Sequence, residues 1–185
     1  VQLRHLGITH ADAADFQTLG GMLIRNDTRL RASPAQIVAG AAPQSALWAL
    51  GISGDLPIVL LRIDDAADIS ALHQAISAHE YWQMHQQAVD LVILNDRTSS
   101  YVQDLQIAIE SAVRAARSRP QASGIHAPVN GTIHALRTDL LNAGAREHLL
   151  SVARINLVAS RGDLASQLAR LAPLPQLDAA RHDAI

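Results

Sequence analysis

Residues 51–64 read GISGDLPIVLLRID: two glycines bracket a serine, an acid and a proline follow, and an apolar run begins. How this stretch is read decides the architecture. A serine-hydrolase elbow has the form G-x-S-x-G between a strand and a helix, and its last glycine is needed because helix and strand pass close behind the serine. Here the frame is Gly51-x-Ser53-x-Asp55, and the run after Pro57 has the character of a strand. A sharp turn feeding a buried strand accounts for the residues better. Gly54 takes positive φ at little cost, Asp55 accepts backbone hydrogen bonds, and Pro57 suits the first position of a strand. Gly51, Ser53, Gly54, Asp55 and Pro57 are therefore read as a structural turn, with a Ser53-based hydrolase as the last of three alternatives.

Working outward, PIVLLRI (57–63) and VDLVILN (89–95) are short and almost continuously apolar, as strands covered on both faces of a parallel sheet are. GTIHALR (131–137) is a third, weaker strand. Between them, Ser70 caps a helix reaching about Gln86. Ser100 with Gln103 forms a capping-box pattern for a helix to about Arg117, with Val102, Leu105, Ile109, Ala112, Val113 and Ala116 on one side. REHLLSVARINLVASRG (146–162) reads as one helix with Arg161 in its last turn and Gly162 at C′, and Asp163 caps a short helix to Leu171. Upstream, Thr9 with Asp12 opens a helix from about Ala11 to Arg25. Asn26 to Gln44 is a connector with a short helix near Pro34–Val38. SALWALGI (45–52) offers a further strand antiparallel to 57–63.

The order βαβαβα predicts an α/β fold: a small parallel or mixed sheet of three to five strands flanked by helices, preceded by an N-terminal helix and connector. The expected divisions are 1–44 for helix and connector, 45–172 for the α/β module and 173–185 for a linker tail.

Composition narrows the function classes. In 185 residues, 49% are hydrophobic but only 3% aromatic, so the core is built from Leu, Ile, Val and Ala. A formal charge of −2 and fifteen scattered cations, all Arg, give no basic field for nucleic acid. The absence of Cys excludes disulfides, thiolate metal sites and a cysteine nucleophile. No apolar run approaches a membrane span, and the first residues lack the order of a signal peptide. A start without Met and a Pro-, Ala- and Arg-rich end suggest a piece of a longer polypeptide.

Candidate chemistry is sparse. HEYWQ (79–83) lacks the second histidine of H-E-x-x-H, and His73, His79 and His85, six apart, point to three sides of a helix and cannot share a metal. No metal site or cofactor is expected, and no Gly-rich phosphate motif is present. Asp64, Asp65, Asn95, Asp96 and Asp139 gather after the strands, where open α/β sheets bind ligands but where capping also needs such residues. Trp48, Tyr81 and Trp82 either stack on sugar rings or anchor the core. Carbohydrate-binding candidates are thus Trp48, Tyr81, Trp82, Asp64, Asn95 and Asp96, and no residue is assigned to catalysis.

Longer motifs add a resemblance. SALWALGISGDLPIVLLRI, AHEYWQMHQQAVDLVILND, SYVQDLQ and LLSVARINLVASRGDLASQL together resemble a segment of bacterial cyclic β-1,2-glucan synthases, over about residues 6–170. That resemblance implies a very large parent at the inner membrane, with this segment on the cytoplasmic side. The parent's glycosyltransferase part builds β-1,2-glucan from UDP-glucose. Its C-terminal part is similar to glycoside phosphorylases of the cellobiose and chitobiose phosphorylase family, which would trim chain length. The phosphorylase general acid lies in an (α/α) barrel whose motif has no counterpart here, so no catalytic residue is carried over. The implied role is a non-catalytic structural or interaction module. Its partners would be neighbouring domains of the same polypeptide, without nucleic-acid binding or membrane insertion by this segment. A β-1,2-glucan-binding module is the second alternative.

Overall fold

The computed structural model describes residues 7–97, 103–119 and 131–173. Within them the chain is an α/β fold around a four-stranded, wholly parallel sheet in the order β3-β2-β1-β4. The strands are β1 Ile58–Ile63, β2 Asp90–Asn95, β3 Ile133–Arg137 and β4 Ile155–Val158. The helices are α1 His10–Ile24, α2 Pro34–Ala39, α3 Ser45–Trp48, α4 Ile69–Met84, α5 Asp104–Arg117, α6 Ala143–Val152 and α7 Leu164–Ala169.

The apolar runs of β1 and β2 are explained by two cores, one on each face. Val59, Leu61, Ile63, Leu91 and Ile93 face α1, α4, α5 and α7. Ile58, Leu60, Val92 and Leu94 face the other way, toward Leu47 of α3 and Leu149 of α6. Alternate residues of a strand point to opposite faces, so a run buried on both must be apolar throughout. The topology follows the same logic. The chain steps outward from β1 to β3 with α4 and α5 on one face, then returns past β1 to β4. A crossover of unchanged hand that travels the other way must lay its helix, α6, on the opposite face. The result is a doubly wound sheet whose switch point lies between β1 and β4.

The N-terminal helix forms as its sequence anticipates. Thr9 Oγ1 accepts from Asp12 N at 3.1 Å and the Asp12 carboxylate accepts from Thr9 N at 3.1 Å, a complete capping box. Phe16, Leu19, Met22 and Leu23 are buried, and the Trp82 indole of α4 donates to Phe16 O at 2.8 Å. α1 therefore shares its core with the sheet. No described helix is long and apolar enough to cross a membrane.

Four local expectations are corrected. Residues 146–162 are not one helix: α6 starts at the Asn142 cap, ends at Val152, and β4 follows. Helical spacing in the sequence cannot register the open edge of β1. That edge gives the backbone of 155–158 partners and buries Ile155 and Leu157. SALWALGI is not a strand; Ser45–Trp48 is a helical turn that places Leu47 and Ile52 together in the second core, with Ile52 N donating to Leu47 O at 3.1 Å. Ser70 lies inside α4, which is entered through a 3-10 turn, Ala66–Asp68, capped by Asp65. α5 begins at Asp104 without a side-chain cap from Gln103. Leu105, Ile109 and Val113 are buried as expected, whereas Ser100, Val102 and the tail beyond residue 173 lie outside the described residues.

Candidate functional site

Parallel strands put all amino ends on one edge of the sheet and all carboxyl ends on the other, so the site question divides in two. At the amino edge, the 51–57 corner turns on Gly51 (φ 76°) and Gly54 (φ 79°), both in the left-handed region that favours glycine. The Ser53 hydroxyl accepts from Asp55 N at 3.2 Å, inside the turn. It makes no hydrogen bond to an imidazole among the described residues. Ser53 O accepts from Gln44 Nε2 at 2.9 Å and from the Trp48 indole at 3.2 Å. Asp55, expected to accept backbone donors, instead accepts from Gln44 Nε2 at 3.1 Å. Pro57 immediately precedes β1. Beside this corner lies a hollow of about 350 Å³, lined by Gln44, Leu47, Asp55, Pro57, His148 and Arg154 among others.

At the carboxyl edge the acids and amides are engaged. Asp65 accepts from Ala67 N at 2.9 Å. Asn95 accepts from Arg97 N at 3.1 Å and donates to Gln106 at 2.9 Å. Asp139 pairs with Arg137 at 2.6 Å. Asp96 is the hub: its carboxylate accepts from Arg62 Nε at 2.8 Å, Arg146 Nη2 at 2.9 Å and the Thr138 hydroxyl at 2.5 Å. Burial alone would raise this carboxyl's pKa, but the hydrogen bonds from Arg146, Thr138 and Arg62, with the Arg62 charge, hold it below the ordinary carboxylate range. Asp64 stays exposed beyond the end of β1. The switch-point crevice, where such sheets bind ligands, is filled by the chain itself. Leu164 of α7 is buried with its N–H on Gln74 at 3.0 Å, and Gln167 bonds Val158 O and Gly162 O.

No protein-family model matches the chain. A segment of the cyclic beta-(1,2)-glucan synthase NdvB of Rhizobium meliloti (strain 1021) is 41% identical to it over 174 residues, 94% of the chain. The chain is homologous to that part of NdvB. It spans about 6% of the length of this relative.

The three aromatic candidates are not brought together. Trp82 is 1% exposed in the core shared with α1, and Tyr81 packs its ring 5.8 Å from Phe16 and 4.2 Å from His85. Trp48 stands on the opposite face of the sheet, 64% exposed beside the 51–57 corner. Asp64, Asn95 and Asp96 lie at the other edge. Of the histidines on α4 and at its C-cap, His73 and His85 are exposed and His79 is buried, its Nε2 on Val89 O at 2.9 Å.

Burial holds the His79 pKa below its ordinary value, against the Val89 hydrogen bond and the Asp90 charge. The folded state thus binds fewer protons at this ring than the unfolded chain, and stability falls as the pH drops below about 6.5. His134 on β3 is shifted the same way by burial. His79→Gln is expected to flatten the fall in urea midpoint between about pH 7 and 5, leaving the slope due to His134. An unaltered slope would remove His79 as a source of acid sensitivity.

Sequence reasoning passed over Gln44, His148 and Arg154. Their hollow is assembled from a connector, a turn, a helix and a strand start, so no spacing in the chain announces it.

Proposed function

We propose that this chain is a non-catalytic α/β structural module of a cyclic β-1,2-glucan synthase, serving the synthesis of cyclic β-glucan without performing chemistry itself. In this reading it lies in the parent's phosphorylase-like region, upstream of the catalytic barrel, and docks against neighbouring domains of the same polypeptide. The homology to NdvB supports the family context. The observation that carries the non-catalytic reading is that the Ser53 hydroxyl and the polar groups after the strands, Asp64 apart, are committed to turns, caps and arginine pairs. Ile24, Val38 and Leu140, each more than 70% exposed, are apolar side chains suited to contacts with such neighbours.

The test is made in the full-length synthase. Ser53→Ala and Asp64→Asn are expected to leave cyclic glucan output within about twofold of the parent, as surface changes away from chemistry do. A loss of about 100-fold or more in either variant, with synthase abundance unchanged, would assign catalysis to this segment and end the structural reading.

A further inference from the structure

The fold treats the two outer edges of its sheet differently. At β4, Leu30 O accepts from Asn156 N at 2.7 Å, and the Gln167 carboxamide accepts from Val158 N at 3.2 Å and donates to Val158 O at 3.0 Å. That edge is closed. β3 is the other outermost strand. Successive residues of a strand turn their N–H and C=O to opposite sides, and Leu91 N of β2 bonds Thr132 O, so Ile133, Ala135 and Arg137 turn outward. The Arg117 guanidinium donates to Ile133 O. Among the described residues nothing bonds the N–H or the C=O of Ala135. An open edge of this kind is a template for another strand.

We propose that β3 and α5 form a twofold self-association surface, in which β3 pairs antiparallel with β3 of a second copy about Ala135 and joins the two four-stranded sheets into one. The register complements itself. With Ala135 opposite the partner's Ala135, outward residues meet outward residues, Ile133 faces the partner's Arg137, and a small side chain stands at the axis. The charges on α5 decide the occupant. Glu110, Arg114 and Arg117 of α5 share a groove with Ala135. Glu110 and Arg114 stand one turn apart on an exposed stripe that Ile107, 58% exposed, extends. They do not pair with each other. Glu110 accepts from Gln106 Nε2 at 2.7 Å, and among the described residues no carboxylate lies within ion-pair distance of the Arg114 guanidinium. A twofold axis at Ala135 passes level with these groups and sets the two α5 helices antiparallel. Each Glu110 then lies against the partner's Arg114, and the pair forms twice. A strand without such a helix beside it would leave both charges unmatched.

This association is independent of the proposed function above. Sedimentation equilibrium of the 185-residue chain is expected to show a monomer and a dimer with a dissociation constant of about 10–100 μM, weaker in high salt. Ala135→Pro deletes the outward N–H while sparing the bonds to β2, as proline does on edge strands. Arg114→Glu reverses one charge at an exposed position. Each is expected to weaken the dimer about tenfold or more. Glu110→Arg combined with Arg114→Glu exchanges the two charges, and should return the dissociation constant to within about threefold of the wild type. Circular dichroism checks folding; if Ala135→Pro does not fold, the charge variants decide. A chain that stays monomeric up to about 1 mM leaves this edge to a strand from elsewhere in the polypeptide and overturns the proposal. Dimerisation unchanged in either folded variant, or not restored by the charge exchange, overturns it as well.

Discussion

Trp82→Ala is expected to lower the free energy of unfolding by about 3–5 kcal/mol, the range for emptying a large buried aromatic position. Among the described residues the indole is the largest fully buried side chain, and it sits where α4 meets α1. Two losses combine in the variant: the cavity, and the bond from Nε1 that satisfies Phe16 O. Gly20 shows how closely α1 approaches, since a Cβ there would lie 3.1 Å from the indole nitrogen. Trp82→Phe keeps most of the volume and loses chiefly the hydrogen bond, so it should cost about 1–2 kcal/mol. Urea unfolding followed by far-ultraviolet circular dichroism measures both. A total stability of about 5–15 kcal/mol is ordinary for a domain, so the alanine variant should lose a large part of it. A change below about 1 kcal/mol would mean that α1 is peripheral to the cooperative unit.

Asp96→Ala is the second large effect, about 2–3 kcal/mol at neutral pH. It leaves Arg62 and Arg146 without their shared carboxylate and releases the tie between the ends of β1 and β2, the Thr138 turn and α6. The arginine side chains are 33% and 29% exposed. Water therefore screens the freed charges, and the loss stays below that of a fully buried pair. The pH dependence carries the sign. Because the folded carboxyl is held below its unfolded value, its contribution is complete above about pH 4 and fades as the pH falls through the folded value. The wild-type chain should lose stability over that acid window and Asp96→Ala should lack this part of the fall. Equal acid sensitivity of the two proteins would show that the cluster adds nothing to folding.

Much of the fold was legible before the structure. PIVLLRI and VDLVILN announce themselves because strands covered on both faces must be apolar throughout, and the Thr9–Asp12 box marks α1 through the donors that a helix start leaves unmet. The fourth strand was not legible. INLV follows LLSV closely enough to continue a helical stripe, and what makes it a strand is the vacant edge of β1, whose paired residues lie 96 positions earlier in the chain. The acids after the strands were visible as a group. Their division into caps, arginine pairs and the exposed Asp64 depended on where Arg62 and Arg146 arrive.

By itself the sequence determined the class of the fold, the direction of the 51–57 corner and the kinship to cyclic β-1,2-glucan synthases, because each rests on residues adjacent in the chain. Tertiary structure alone decided that the sheet has β4 at its edge, that Trp82 is core while Trp48 is surface, and that the open hollow lies at the amino ends of the strands. These depend on segments far apart in sequence meeting across the sheet. Local propensity and spacing carry no information about which distant groups will arrive to fill, pair or leave open a given place.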